Sequence, residues 1–276
     1  MAAKRRVVVA GAGGVFGSLF VDALRDAYDV VPTSRETLDL SDVDAVARFA
    51  RGAFAFACTA GPFQQLDRAI VRAVVDAGAH WLDISDDERW FFDLLDDRAL
   101  DALARERGVA VISGLSSLPA ISCALARRVM PAARVNITLF IGNDNAKGAA
   151  AIASCAVLNT PDRELLRREL GIEAVVRPRF EMPGAHLAIA ALRVLPLRAR
   201  IRFAKILSRL IPRFGSQGGY VEVNGVRVDG GQRMAILPLV FALQNLDGKS
   251  GCLSPTVFDP EELLRFVECG GKAAAF

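Results

Sequence analysis

A glycine-rich segment near the start of the chain has the composition of a phosphate-binding loop. Its sequence is Gly11-Ala12-Gly13-Gly14-Val15-Phe16-Gly17, and it lies between an apolar run and a segment of helical periodicity. Glycine permits a tight turn and a close approach of the backbone to a pyrophosphate, which then lies at the positive N-terminus of the helix. The spacing fits G-x-G-G-x-x-G and equally G-x-x-G-x-x-G, with Phe16 where strict G-x-G-x-x-G has its third glycine. We therefore predict dinucleotide binding by this loop through Gly11, Gly13, Gly14, Val15, Phe16 and Gly17; a purely structural glycine turn is the alternative.

The residues after the second apolar run indicate which dinucleotide would bind. An NAD site usually has Asp or Glu there, to accept hydrogen bonds from the ribose hydroxyls. This chain has Thr33-Ser34-Arg35 instead, so a carboxylate is missing and a guanidinium is available for a 2′-phosphate. The pattern favours NADP over NAD, with Ser34 and Arg35 as cofactor-binding residues. The alternative is that Arg35 is only a solvated surface charge.

Small and polar residues also follow the third and fourth apolar runs. Gly61, between Ala60 and Pro62, would leave room for the cofactor, while Pro62 would fix the direction of the backbone. Asp83 and Ser85 end the next run, at the edge of a parallel sheet where ligands bind. Asp83 is a weak candidate for the catalytic residue, which would orient substrate or relay a proton, and Ser85 is a candidate for substrate binding. It is equally consistent with the pattern that Asp83 caps the helix beginning near residues 86–88.

Short apolar runs that alternate with helical patterns must position these residues. Continuous apolar strands separated by crossover helices indicate a parallel sheet covered on both faces. We therefore predict an α/β, Rossmann-type doubly wound parallel sheet. Its predicted strands are 5–10, 29–33, 53–58, 80–84 and 109–113, and its predicted helices are 15–27, 42–51, 65–77 and 88–107.

Beyond residue 114 the pattern changes to that of a second, α+β domain. A helix is predicted over 119–130 and a strand over 134–141, and Asn224-Gly225 between alternating residues predicts a hairpin with a type I′ turn. The predicted division is a dinucleotide-binding domain at 1–114 and a substrate or dimerisation domain at 115–257. A C-terminal helix within 258–276 could return to the first domain.

Composition excludes several classes of function. The 34 basic and 31 acidic residues nearly balance, which argues against nucleic acid as a partner. Two histidines and five scattered cysteines without a C-x-x-C pair argue against a metal site and against a disulfide framework. Glycines and Asp22 interrupt the apolar run at the N-terminus, so we expect no signal peptide and a cytoplasmic protein.

Familiar catalytic motifs are absent from the sequence. Short-chain dehydrogenases use a Tyr-x-x-x-Lys pair, but the residues four positions after Tyr28 and Tyr220 are Pro32 and Asn224. The chain also has no G-x-S-x-G elbow, H-E-x-x-H motif or Walker lysine. Hydride transfer would therefore depend chiefly on how the protein positions the cofactor.

Three segments together resemble the saccharopine dehydrogenase-like NADP-binding family. They are residues 13–17, the sequence Thr59-Ala60-Gly61-Pro62-Phe63, and Val75-Asp76-Ala77-Gly78-Ala79-His80-Trp81-Leu82-Asp83-Ile84-Ser85. Residues 113–119, Ser-Gly-Leu-Ser-Ser-Leu-Pro, resemble that family's passage into its second domain. The resemblance covers roughly residues 5–125 and implies an NADP-binding fold, without implying saccharopine as substrate.

The chain departs from this family at two places. Trp81 stands where a tyrosine is common, and the segment between the second strand and Asp42 is short. The sequence Leu38-Asp39-Leu40-Ser41-Asp42 in that segment looks more like an extended short-chain reductase, which makes Asp39 another candidate for cofactor binding.

Two groups of polar residues near the predicted second domain are candidates for substrate binding. Ser116 and Ser117 lie at the join between the domains, where ligands often bind. Asn143, Asn145 and Lys147 follow a strand and could meet a substrate carboxylate, although a solvated turn explains them nearly as well.

The segment 187–213 is basic and apolar at once. No acidic residue occurs from Met182 to Val221, while seven arginine and lysine residues alternate there with leucine, isoleucine and phenylalanine. One interpretation is an interfacial helix on anionic lipid. The interpretation we favour is a helix of the second domain that covers a sheet or a partner in a homodimer, with Pro196 kinking or dividing it.

These observations lead to one main hypothesis about function and two alternatives. The main one is an NAD(P)-dependent oxidoreductase of the saccharopine dehydrogenase-like type, which transfers a hydride to or from a small molecule in the cleft between domains. The first alternative is a non-catalytic dinucleotide sensor, since no acid–base pair is evident. The second is a membrane-associated reductase of a lipid-linked substrate.

Overall fold

The computed structural model describes residues 3–145, 159–181, 187, 191–192, 194–210 and 215–272. Its first sheet has six strands, and every pair of neighbours is parallel. The strands are β1 (Arg6–Ala10), β2 (Asp29–Thr33), β3 (Ala55–Cys58), β4 (His80–Asp83), β5 (Ala110–Ile112) and β10 (Gly251–Leu253). This sheet confirms the predicted α/β doubly wound fold.

The order of the strands in this sheet is β2-β1-β3-β4-β5-β10. Strand β2 therefore lies on one side of β1, and the chain then crosses to the other side of β1 to form β3. Ligands of doubly wound folds bind where the order reverses in this way, at the carboxyl ends of the strands. Here the reversal lies between β1 and β3. Both strands are apolar and wholly buried over Val7–Val9 and Ala55–Cys58, because helices cover the two faces of the sheet.

Five helices follow the strands of the first sheet. They are α1 (Val15–Leu24), α2 (Val43–Ala50), α3 (Ala69–Asp76), α4 (Glu88–Leu95) and α5 (Arg98–Arg107). The single helix predicted over 88–107 is therefore wrong, because the structure has two helices there. Asp97 lies between α4 and α5 and begins α5. Its carboxylate accepts a hydrogen bond from the Leu100 N–H, which is the geometry of a helix N-cap.

A second, mixed sheet follows the short helix α6 (Ser122–Arg128). Its order is β7-β6-β8-β9, with β6–β7 parallel and the other pairs antiparallel. The strands are β6 (Arg134–Ile141), β7 (Glu173–Phe180), β8 (Gly219–Val223) and β9 (Val226–Asp229), and α7 (Asp162–Leu170) precedes β7. The predicted hairpin is confirmed, with Asn224 and Gly225 at φ of 49° and 86°, the left-handed values that a type I′ turn requires.

The last part of the chain contacts both sheets. Helix α9 (Leu237–Gln244) is buried and packs on α1 and β4, and the chain then returns to the first sheet as β10. The return thus comes earlier than the predicted segment 258–276. Helix α10 (Pro260–Glu268) packs chiefly on α6, α9 and β9, and Arg128 of α6 forms ion pairs with Glu261 and Glu268. This helix therefore braces the second sheet.

In the described part of the basic segment, residues 187, 191 and 192 are helical, and a longer helix follows them. Helix α8 spans Leu197–Leu210 and begins directly after Pro196, whose carbonyl accepts a hydrogen bond from the Arg200 N–H. Proline suits this place because its missing N–H is not needed at a helix start. Helical residues therefore precede Pro196 and α8 follows it, which agrees with the predicted division of the segment at Pro196.

Candidate functional site

The carboxyl ends of β1 and β3 lie side by side at the reversal of strand order. The Thr59 N–H and hydroxyl both donate to the Ala10 carbonyl, at 2.9 and 2.8 Å, and join the two strand ends. The glycine loop leaves β1 directly above this junction. Gly11 approaches Ala60 so closely that a β-carbon on Gly11 would lie 2.9 Å from the Ala60 Cα. The glycine loop and the Ala60-Gly61-Pro62 segment thus form one edge of the sheet.

Gly11 and Gly17 are required by the packing of the loop itself, and Gly14 is tightly packed there, since a β-carbon on Gly14 would lie 3.2 Å from the Gly11 carbonyl oxygen. Gly11 has φ of +81°, and a β-carbon on Gly17 would lie 2.1 Å from the Gly11 carbonyl oxygen. Gly14 donates its N–H to that same oxygen at 2.9 Å and is the N-cap of α1. The structural spacing is therefore G-x-x-G-x-x-G. Gly17, one position beyond the third glycine of the strict motif, is the residue that allows α1 to pack on the loop.

Gly13 differs from the other three, because a β-carbon placed on it would meet no atom within 4 Å. Nothing in the packing of the described chain therefore demands a glycine at this exposed position. A glycine in open space at a phosphate loop is what a close approach by a ligand would require.

The N-terminus of α1 has the electrostatic properties of an anion site. The N–H groups of Val15, Phe16 and Gly17 belong to the first turn, which has no intrahelical acceptors for them, and no side chain caps this helix. The first turn also contains no acidic residue, so the positive end of the helix dipole is not compensated locally. This arrangement suits a pyrophosphate.

The residues after β2 form a compact turn beside this loop. Thr33 is buried and its hydroxyl donates to the Val9 carbonyl at 3.1 Å, while the Ser34 carbonyl accepts from the N–H groups of Thr37 and Leu38. Arg35 is exposed, and no ion pair involves it among the described residues. The Ser41 N–H and hydroxyl lower the pKa of the Asp39 carboxyl, and the charge of Arg35 acts in the same direction.

Asp83 occupies a fully buried position at the end of β4. Its carboxylate accepts hydrogen bonds from the indole N–H groups of Trp81 and Trp90, at 2.8 and 3.0 Å, and from the Ser113 hydroxyl at 2.7 Å. The backbone N–H groups of Ser85 and Gly114 complete the set, at 2.9 and 3.3 Å. Burial raises the pKa of Asp83, and these donors oppose that effect.

This environment argues against both sequence-based interpretations of Asp83. Both carboxylate oxygens are occupied and shielded from solvent, so Asp83 is poorly placed to exchange a proton with a substrate. The cap of α4 is instead Asp87, which accepts from the Trp90 N–H at 2.8 Å. Asp83 therefore joins β4, β5 and α4, and the indole of Trp81 supplies one of its donors.

The three candidate serines differ in their accessibility. Ser85 is fully buried, and its hydroxyl accepts from the Asp87 N–H at 3.1 Å, so it supports the turn into α4. Ser117 is also buried, in a wide helical turn that precedes α6. Ser116 is only half-buried. Of the three, Ser116 is therefore the one whose side chain a ligand could reach directly.

The polar residues after β6, Asn143 and Asn145, have structural roles. The buried Asn145 side chain donates to the carbonyls of Gly142 and Gly218, at 3.2 and 2.9 Å, and the Asn143 N–H donates to Glu181 at 2.8 Å. These residues join the end of β6 to its neighbours and do not form a solvated turn. Lys147 lies outside the described residues.

An acidic pair at the join between the domains was missed by the sequence analysis. Asp162, at the start of α7, is fully buried and accepts from the Ser122 hydroxyl, while its Oδ2 has no hydrogen-bond partner among the described residues. Burial raises the pKa of Asp162 to about 6. Burial also raises the pKa of Asp86, in the turn after β4, to about 6, and the charges of Asp87 and Asp162 add to this effect. No motif brings residues 86 and 162 together, so only the fold could show the pair.

His80 begins β4, so it lies at the edge of the sheet opposite the candidate site. Its Nδ1 accepts from the Ala110 N–H at 2.9 Å, and its ring meets the edge of Phe54. Burial lowers the pKa of His80 to about 4, so the ring is neutral. Its hydrogen bond with Ala110 joins β4 to β5.

Comparison with known proteins gives structural matches alone. No family model matches the sequence, and no curated protein matches it either. Diaminopimelate (DAP) dehydrogenase of C. glutamicum, solved with DAP, has a TM-score of 0.51 and 17% identity over 95% of this chain and 96% of that one. An engineered D-amino acid dehydrogenase bound to NADP+ covers the same shares, with 15% identity and a TM-score of 0.47. A Thermus thermophilus dehydrogenase bound to NAD and UDP-GlcNAcA has 13% identity and a TM-score of 0.46 over 98% and 95%. The first of these supports the fold of the whole chain.

The glycine loop allows a paired test of binding and packing. Gly13→Val should leave the fold intact, because its side chain enters open space, but should weaken dinucleotide binding by about a hundredfold or more by filling the phosphate position. Gly17→Ala should instead destabilise the protein by about 1–3 kcal/mol, because its β-carbon overlaps the Gly11 carbonyl. Urea unfolding and titration calorimetry with NADPH would separate the two effects. Normal binding by Gly13→Val would show that the phosphate site lies elsewhere.

Asp162 should make stability depend on pH in a defined direction. Its folded pKa of about 6 lies above the ordinary value of 3.8, so the fold favours the protonated form, and wild-type stability should fall as pH rises between these values. Asp162→Asn stays neutral. Its stability gain over wild type should be near zero at the acid end and grow to about 1–3 kcal/mol above the folded pKa. Urea unfolding across this range, with the exposed Asp26→Asn as control, measures the gain. A variant less stable at neutral pH would contradict the expectation.

Proposed function

We propose that the chain is an NADP-dependent oxidoreductase of the saccharopine dehydrogenase-like type, with its substrate in the cleft between the two domains. The observation that carries the proposal is the open position of Gly13 beside the uncapped N-terminus of α1, at the reversal of strand order. The packing of the turn requires glycine at positions 11 and 17, but it does not require glycine at position 13. The fold shared with C. glutamicum DAP dehydrogenase supports the same conclusion, because that protein is named a dehydrogenase.

Each part of the cofactor has a counterpart along the sheet edge. The first-turn N–H groups of α1 would hold the pyrophosphate. Ser34 and Arg35 would lie toward the adenosine ribose, where the exposed guanidinium suits a 2′-phosphate, and Asp39 would approach the adenosine end. Ala60, Gly61 and Pro62 would border the path toward the nicotinamide, with Gly61 exposed. Bound NADP would supply the hydride chemistry.

Substrate would contact the join between the domains, where Ser116 is half-buried and where the acidic pair lies. Asp86 is the side chain best suited to transfer a proton there, because it is half-buried and its pKa is raised to about 6. Asp162 would act on it through charge, because ionised Asp162 opposes the ionisation of Asp86. Asp83, saturated by its donors, would position β4, β5 and α4.

A dinucleotide sensor is the second candidate, and one observation favours it. The carboxylate that the sequence offered for catalysis, Asp83, is buried and fully engaged. A sensor would need the phosphate loop but no proton-transferring group. The extent of the second domain, with its own sheet, favours an enzyme, because nucleotide binding alone does not require it.

Turnover separates these two candidates. With NADPH and a panel of carbonyl, imine and enoyl compounds, the wild type should consume NADPH above background. Asp86→Asn should slow the reaction about tenfold or more and remove its pH dependence near the pKa of this group. The exposed Asp26→Asn provides a control for loss of a carboxylate. Tight NADPH binding without turnover on any class of compound would favour the sensor.

The choice of cofactor depends on Arg35 in this proposal. A charge-assisted bond to the 2′-phosphate should make Arg35→Ala weaken NADP binding about tenfold to a hundredfold. NAD has no such phosphate, so its affinity should hardly change. Titration calorimetry of both cofactors against wild type and variant measures the difference, and Arg72→Ala, another exposed arginine, is the control. Equal losses for both cofactors would assign Arg35 to the adenine or to the fold, and a wild type that prefers NAD would contradict the proposal.

A further inference from the structure

Helix α8 and the residues before it form an unusually apolar part of the surface. Four large apolar side chains are exposed here: Leu187 by 67%, Val194 by 85%, Phe203 by 49% and Ile206 by 54%. Only three other large apolar side chains are exposed among the described residues, and they are scattered over the chain at positions 130, 226 and 257. Clustered exposed apolar groups indicate a surface that contacts something else.

The helix has three distinct faces, which its spacing defines. Ala204 is fully buried and Arg200 donates to the carbonyls of Leu192 and Leu195, at 3.2 and 3.1 Å, so this face rests on the protein. Phe203 and Ile206, three residues apart, form an exposed apolar row. Arg198 and Arg202, four residues apart, form an exposed basic row beside it. An apolar row bordered by basic residues is the pattern of a helix lying in a membrane interface.

The segment that contains this surface has basic residues but no acidic residues in its sequence. The sequence has no acidic residue from Met182 to Val221 and seven basic ones. Arg198 and Arg202 have no ion pair among the described residues. A basic and apolar surface without counter-charges complements anionic lipid, which supplies both phosphate and acyl chains.

We propose that α8 is a peripheral membrane-binding helix that places this oxidoreductase on anionic lipid surfaces. The 14-residue helix is about 21 Å long, so it would lie along the interface. Among the described residues no helix is long and apolar enough to cross a bilayer. Basic residues would bind lipid headgroups, while Phe203 and Ile206 would enter the acyl boundary.

A second copy of the chain fits the surface less well. A two-fold dimer through α8 would bring Arg198 and Arg202 near their own equivalents, and the segment 182–221 has no carboxylate to offset the repulsion. A dimer of this kind would therefore weaken as ionic strength falls, whereas binding to anionic lipid would strengthen.

Flotation of the full chain with vesicles tests the proposal. Wild type should bind vesicles of phosphatidylcholine with roughly one-third phosphatidylglycerol and should bind pure phosphatidylcholine hardly at all, with loss of binding as salt rises. Removing two charges with Arg198→Gln and Arg202→Gln should weaken binding about tenfold or more. Phe203→Ser with Ile206→Ser should weaken it similarly. Arg72→Gln with Arg89→Gln removes two exposed charges elsewhere, and Val257→Ser removes an exposed apolar side chain elsewhere; both should bind normally.

Further readouts separate lipid binding from dimer formation and from damage to the cofactor site. In a Phe203→Trp variant, anionic vesicles should shift the fluorescence to the blue and lipid-borne quenchers should reduce it, because Trp81 and Trp90 are buried. NADPH binding without vesicles should match wild type in every variant, so loss of the phosphate site would be distinguished from loss of membrane attachment. No binding of wild type at low salt would overturn the proposal. A second result would also overturn it: the wild type forms a dimer and does not bind vesicles, and Phe203→Ser with Ile206→Ser abolishes the dimer. That result would make α8 a subunit interface.

Discussion

The candidate site depends on a close contact that is possible only without β-carbons. Gly11 lies against Ala60, and Gly17 lies against Gly11, so the loop, the first helix and the third strand meet at van der Waals distance. This contact aligns the N-terminus of α1 with the reversal of strand order and leaves its first N–H groups facing outward. The anion-binding character of the edge follows from how tightly the backbone packs, and it needs no charged side chain of its own.

A second constraint, the buried carboxylate of Asp83, connects this edge with the rest of the molecule. Two indoles, a hydroxyl and two backbone N–H groups from β4, β5 and α4 converge on it. A buried polar group that is left without a partner costs about 1–3 kcal/mol. Each of these hydrogen bonds therefore stabilises the positions of β4, β5 and α4. The Gly114 N–H belongs to this cluster, so the cluster also holds the start of the chain segment that leads toward the second sheet.

The sequence predicted best what depends on local periodicity and on backbone requirements. The parallel strands, the glycine loop and the Asn224-Gly225 hairpin were all predicted, because each has a pattern confined to a few residues. The break between α4 and α5 was missed because the helical pattern runs through Asp96 and Asp97. The role of Asp83 and the pairing of Asp86 with Asp162 could not be predicted, since both depend on distant segments meeting in space. The glycine loop could be located from the sequence, but only the structure shows that Gly13 is the glycine that faces open space.

The edge strand β10 has a consequence for how the protein is made. It pairs with β5, yet about 140 residues separate the two strands along the chain. At about 5–20 residues per second, the ribosome needs roughly 7–28 s to synthesise the intervening chain. During that interval the first sheet lacks both β10 and helix α9, which packs on α1 and β4, and the backbone groups of β5 lack their final partner. An unpaired strand edge can join other chains. Completion of the first sheet therefore has to wait for translation of the domain inserted between β5 and β10.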